Sequence, residues 1–448
     1  MKNHKNLSKQ ELMTRQDIPC VQLGGKFVSL DSKTEARQSV SRKKQAEQLL
    51  ATVVMGMNLV NTAAPLAVLA TAEQKLSVVP QPVRSEAEPL DYAMLPQLAD
   101  VVDRAIFARA EATSYGGNDT VDNMVAGDSQ NITAGQNGTV STMSGGMQNI
   151  SSGGTGAVST MSGGIQAISS GGTGTVSIMN DGRQFVDDGG AGTVDIMSGG
   201  EQEIYNGTGI IGTMSDGAQG IRSGGNGTIS IMSDGMQRLS SGGTGTVSTM
   251  SGGIQNIYYG GTGIIGTMHN GSQIIGGAAF DAIGTIDTMS GGKQMIARGG
   301  TGTLSVMYGG SQTIASGGTG TVSTLNNGQQ IISSSGAGTV NTMNNGEQII
   351  EGGKGTITTM NMGFQKISSG GSGVIIAMKA GYQYVFSGGT GTLSVMYVDG
   401  VQSILNGGTG TVSTMSGGVQ FVSSNGVATI SSLIGGTQEV NSGGTALD

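Results

Sequence analysis

From about residue 121 to the last residue, apolar positions recur in pairs with a period of mostly 18 residues. One unit reads Thr-Val-Ser-Thr-Met-Ser-Gly-Gly-Ile-Gln-Asn-Ile-Ser-Ser-Gly-Gly-Thr-Gly. The methionine recurs at Met143, Met161, Met179, Met197, Met214, Met232, Met250 and Met268, and continues to Met415, with Leu325 and Leu433 in the same slot. The spacing departs from 18 only to 17, 19 or 21. Each unit holds two short runs rich in Val, Ile and Thr, which favour a pleated, half-buried surface. Gly-Gly pairs such as Gly163-Gly164 and Gly171-Gly172 separate the runs and permit corners with positive φ. No run reaches the ten or so residues of a helix. A short unit repeated at fixed period cannot bury its own apolar face and does so by stacking. The pattern predicts an all-β chain: a right-handed parallel β-helix of about 18 rungs, one repeat per turn. At roughly 4.8 Å per rung the rod would be roughly 85 Å long.

The expected core of the rung at 155–172 is Val158, Met161, Ile165 and Ile168. Val158 and Met161 are three apart and cannot share one face of a straight strand, so a bend or bulge is expected between them. The most regular polar position is glutamine, five residues after the methionine slot. It recurs at Gln148, Gln166, Gln184, Gln202, Gln237, Gln255, Gln312, Gln348 and Gln420, among others, with Gln130 and Gln402 one residue late. A primary amide can donate to one neighbour and accept from the other, so stacked glutamines predict an amide ladder. Gln166 lies two residues from Ile168, which places the ladder inside.

Ahead of the array the pattern changes. Residues 1–47 are polar and basic, ending in Arg42-Lys43-Lys44. An apolar stretch then begins at Leu49, and Ala70-Thr71-Ala72 matches a small-x-small cleavage site. Residues 1–72 are read as an extended signal peptide. Asn58, Asn61, Thr62 and Pro65 interrupt the apolar stretch, which disfavours a membrane anchor. Residues 73–114 form a linker with Pro80, Pro82, Pro89 and Pro96, followed by a short helix whose stripe is Leu98, Val101, Val102, Ala105 and Ile106. That helix reads either as a cap over the open end of the coil or as a mobile pre-segment. Residues 115–448 are the repeat domain.

Composition narrows the chemistry. Glycine makes up 82 of 448 residues, tryptophan is absent and 12% of residues are charged, unlike both ordinary enzymes and charged disordered chains. From Tyr115 onward 18 Asp and Glu face 8 Lys and Arg with no basic stripe, which argues against nucleic acid as a partner. Cys20 is the only cysteine and lies in the leader. No catalytic, metal or cofactor site is legible. His269 sits alone at a corner slot held in most other rungs by Ser or Asn, and no Gly-x-Ser-x-Gly elbow exists. The Gly-Gly-x-Gly-x-Asp unit of calcium rolls is replaced by Gly172-Thr173-Gly174-Thr175-Val176. The longest insertion, around Gly276 to Asp281, carries no evident chemistry.

The unit Met-Ser-Gly-Gly-Ile-Gln-Asn-Ile-Ser-Ser-Gly-Gly-Thr, as at Met250 to Thr262 with small changes, resembles the repeat of AIDA-type autotransporter adhesin passengers, with their Gly-Gly-x-Gln-x-Val-x-x-Gly-Gly-Thr-Ala units. The match covers roughly residues 120 to 448, and the long basic leader is also similar. The resemblance implies an exported passenger at the cell surface, outer membrane or extracellular space that promotes adhesion, autoaggregation and biofilm formation. Its partners would be like passengers on neighbouring cells or host surface receptors. It further implies O-glycosylation by a cytoplasmic heptosyltransferase, with corner residues Ser169, Ser170, Ser240, Ser241, Ser369 and Thr173 as acceptors. Members of that family end in a translocating barrel, whereas this sequence ends within the array. The expectation is a fragment, or a barrel supplied otherwise. Two other classes compete. A polysaccharide-active enzyme on a β-helix needs clustered acids and bases. An ice-binding solenoid needs a flat repeated Thr-x-Thr face, and the slot after the valine varies among Ser, Asp, Gly, Asn and Thr.

Overall fold

A computed structural model describes residues 20–23, 26–29 and 112–448, apart from 278–280, 369 and 448. The expected signal peptide, the linker and the helix at 97–112, save residue 112, otherwise lie outside the described residues. The chain divides into two units, Met1–Leu76 and Ser77–Asp448. In the first, Cys20–Leu23 and Lys26–Ser29 pair as an antiparallel hairpin.

The second unit is a parallel β-solenoid of about 18 turns. Each turn contributes two strands, such as Thr244–Met250 and Ile254–Ile257. In some turns the two run on as one strand bent at the corner, as in Thr155–Ile168. Thr244–Met250 lies between Asn226–Met232 and Thr262–Met268, while Ile254–Ile257 lies between Met236–Leu239 and Ser272–Ile275. Two sheets therefore run the length of the rod, a methionine sheet and a glutamine sheet. Register sets like on like: Met250 opposite Met232 and Met268, and Gln255 opposite Gln237 and Gln273.

The expected bend is present. Pairing passes from Val247 to Thr249 and skips Ser248, so Val247 and Met250 both point inward although three apart. These two positions stack into one continuous apolar column, and the isoleucine position, as at Ile257, stacks into a second. Fully buried, each such side chain contributes roughly 1.5–3 kcal/mol. One expected core residue is misplaced. Ile165 is half-buried and faces outward, because Gln166 and Ile168 take the inward positions on that strand. The same slot holds Arg183, Glu201 and Lys293 elsewhere, which only an outward position tolerates.

The fifth inward position is a glycine. An added Cβ on Gly245 would collide with Leu239 Cδ2 and Gln237 Oε1. Alanine takes this slot at Ala428 and at the exposed Ala446 of the last turn; Ala428 belongs to a cluster with Val422, whose side chain lacks the δ carbon found on Leu239.

The ladder is continuous. Seventeen amide–amide bonds of 2.6–2.8 Å run from Gln438 down to Gln130, each Nε2 donating to Oε1 of the preceding rung. At its foot Gln130 Nε2 donates to the carbonyls of Gly116 and Asp119, at 3.1 and 2.9 Å. Those acceptors fix the direction. An amide reversed in mid-ladder would set donor against donor on one side and acceptor against acceptor on the other. Tyr115 closes the same end of the Val–Met column.

Length changes are absorbed outside the ladder. The rung of 21 residues keeps Gln294 on Gln273 at 2.7 Å, and the extra residue near Val398 produces a register shift between Met396 and Val401 while Gln402 stays in line. The second corner is a tight turn. In 169–172 the Gly172 N–H donates to Ser169 O at 2.9 Å, with φ of +49° at Ser170 and +73° at Gly171. Positive φ at both central residues is the signature of a type I′ turn and explains the glycine after the serine.

Gln255→Ala should cost about 2–4 kcal/mol, since it orphans Gln237 Oε1 in the dry core and leaves Gln273 Nε2 only long contacts of 3.4 Å to the Gly263 and Thr285 carbonyls. Ile254→Ala, on the outer face, should cost far less in the same denaturant titration. Gln255→Glu should unfold readily at neutral pH and recover at acid pH, where the protonated carboxyl again donates. Gly245→Ala should cost about 1–3 kcal/mol through overpacking.

Candidate interaction surfaces

The solenoid offers two outer faces and two corners. The predicted ladder glutamines Gln148, Gln166, Gln184, Gln202, Gln237, Gln255, Gln312, Gln348 and Gln420 are fully buried, so they shape the rod and touch no partner. Ser170 and Ser241 are exposed at turn tips with φ near +50°, and Ser169 and Ser240 beside them are half-buried. Ser369 lies outside the described residues. Thr173 is exposed at the start of a methionine-sheet strand.

The outer face of the methionine sheet is nearly free of charge. It carries columns of hydroxyls, such as Thr173, Thr175 and Ser177, with isolated exceptions including Asp195, Asp287 and Lys354. The Thr-Gly-Thr stretch puts two threonines on this face with the core glycine between them, as at Thr301 to Thr303.

The outer face of the glutamine sheet varies from rung to rung. Arg183 pairs with Glu201 directly opposite and stacks over the Phe185 ring at 5.4 Å. The Glu201 hydrogen bond and charge hold the Arg183 proton more firmly than usual. Arg222 lies over Tyr205 at 5.6 Å and 3.7 Å from Glu203. Glu203 is buried although it faces outward, because it folds across Gly220, where an added Cβ would strike its carboxylate. Its Oε2 is ion-paired but not hydrogen-bonded. Farther along, Phe364, Tyr382, Tyr384 and Phe386 form a run of rings with centroids 5.5–6.4 Å apart. Neither Gly220's role nor this run stands out in the linear sequence. The signal exists, but only once the repeats are written in structural register.

At the first corner His269 Nδ1 lies 2.9 Å from Ser290 Oγ of the next rung. Asn344 and Asn361 make outward amide contacts of 2.7 Å at the same column, so the histidine occupies a slot of short polar ladders. Among the described residues no group of three or more His, Cys, Asp or Glu is placed to hold a metal ion.

No family model and no curated protein matches the chain. Among solved structures, it is similar to the crystal structure of the TibC-catalyzed hyper-glycosylated TibA55-350 fragment, at 25% identity and a TM-score of 0.32, covering 75% of this chain and 97% of that one.

One surface carboxyl is perturbed. Burial, with a smaller contribution from the Asp188 charge, raises the Asp187 pKa above its ordinary value. The folded chain then holds this proton to a higher pH than the unfolded chain does. The stability it provides is complete below the ordinary aspartate range and is lost as pH rises through the folded value. Asp187→Asn should therefore be slightly more stable than the parent at neutral pH, with the difference vanishing towards pH 3 in paired thermal melts.

Proposed function

We propose that this chain is a surface-displayed adhesin passenger that holds cells together by contacts between like rods, leading to autoaggregation and biofilm growth. The observation that carries the reading is the outer face of the methionine sheet. It repeats hydroxyls at strand spacing along the rod with almost no charge to repel a second copy. Each polar contact on such a face is weak, but contacts held in register by two rigid rods add along their length. The basic leader with its apolar stretch and Ala70-Thr71-Ala72 supports export.

O-glycosylation by a heptosyltransferase belongs to the same proposal. Ser170 and Ser241 are exposed at turn tips, in a corner slot that also holds Ser152 and Ser223 but is interrupted by Asp188, Asn206 and Tyr259. Host receptors are the second class of partner.

The test is a settling assay on cells that display the chain behind an outer-membrane translocator. Displaying cells should settle several-fold faster than bare cells. The rate should fall when they are diluted into bare cells, because contacts need the rod on both partners. Settling indistinguishable from bare cells would end the self-association reading.

A further inference from the structure

We propose that the ring-lined stretch of the glutamine sheet's outer face binds a neutral saccharide. The chain has few aromatic residues, 4% in all. Yet four of them converge here, and all the ring–ring contacts among the described residues lie in this cluster. Tyr382, Tyr384 and Phe386 alternate with the inward Gln383 and Val385, and Phe364 stands opposite Tyr382. Tyr382 and Phe386 remain 41% and 37% exposed, so ring surface is left for a partner.

Beside the rings a shallow trough is lined by Asn327, Gln329, Asn345, Glu347 and Phe364. Gln329 Nε2 donates to Glu347 Oε2 at 3.1 Å, and Lys366 Nζ donates to Glu347 Oε1 at 2.8 Å. These bonds hold the carboxylate in place. Planar amides and a fixed carboxylate next to flat rings are the chemistry that recognises a sugar. The polar groups engage hydroxyls, and the rings cover the apolar C–H face of the pyranose.

Local charge selects among glycans. The trough is lined by the Glu347 carboxylate and by no cation, and the nearest lysine on this face, Lys366, is already paired with that carboxylate, which disfavours sulfated or uronic polyanions. The trough crosses successive rungs from Asn327 to Phe364 and Tyr382 continues that column, so the occupant is an extended chain lying along the rod, with Tyr384 and Phe386 widening the platform across one rung. This goes beyond the adhesin reading and is measured separately from it, on purified protein without cells.

The experiment is calorimetric titration of the full-length chain with cellohexaose, with chitohexaose and with a heparin hexasaccharide. At least one neutral hexasaccharide should bind and heparin should not. Tyr382→Ala with Phe386→Ala should weaken that binding by about tenfold or more, a loss of about 1.4 kcal/mol or more, whereas Phe185→Ala, a ring far along the same face, should leave it unchanged. If the double variant fails to fold, Asn327→Ala with Gln329→Ala, both exposed side chains, takes its place with the same expected loss. Absence of binding to both neutral glycans, preference for heparin, or equal binding by the variants would overturn the proposal. So would loss of self-association by the ring variant in sedimentation without any glycan binding, which would assign the rings to an interface between copies.

Discussion

A single buried amide per turn disciplines this molecule. A primary amide in a dry core must have its donor and its acceptor satisfied, and here both partners come from the neighbouring turns. That demand locks every rung to the same height and register. It explains why the opposing inward residue is glycine: Gly245 leaves room for Gln237 and Leu239 of the adjacent strand. It also explains where variation is allowed. Extra residues sit outside the ladder, as near Val398 and between Ile275 and Ile283, while Gln402 and Gln294 remain in line. Side chains on the outer faces feel no such constraint and drift from rung to rung.

Much of this is legible in the linear sequence. The methionine period implies stacked turns, the three-residue step from Val158 to Met161 implies a bulge, and Gln166 two residues from Ile168 implies an interior ladder. Ile165 misleads because its hydrophobicity, weighed in one rung alone, points to the core. The same slot in other rungs holds Arg183, Glu201 and Lys293, and that column shows its outward aspect. The ring run is hidden for a related reason. Phe364 and Tyr382 are a full turn apart in sequence, and only stacking makes them neighbours. Glu203 over Gly220 is likewise a cross-rung contact, invisible to any reading confined to one repeat.

The two outer faces obey different rules, and the division bears on function. On the methionine sheet hydroxyls recur along the rod, interrupted by exposed isoleucines such as Ile178, Ile196 and Ile231 and by few charges, which suits many weak contacts with a similar surface. On the glutamine sheet the ion pair of Arg183 with Glu201, the buried Glu203 and the rings from Phe364 to Phe386 each occur once among the described residues. Features that occur once give a rod distinct addresses along its length. A repetitive core can thus carry local specificity without any change in its own packing.

The ladder has one more property, which follows from its uniform direction. β-sheets ordinarily carry little net dipole, but a row of primary amides all pointing the same way sums like the peptides of a helix, each contributing about 3.5 D. The amide donors face the Gly116 and Asp119 end, which makes that end the electropositive one. The rod is therefore a weak electrical arrow. Two such arrows lying side by side attract when antiparallel and repel when parallel, within the roughly 8 Å that salt leaves unscreened. Rods reaching outward from two facing cells meet antiparallel, and rods rooted in one membrane stand parallel. In the adhesin reading proposed above, the direction of a buried hydrogen-bond chain would thereby favour contact between cells over crowding on one.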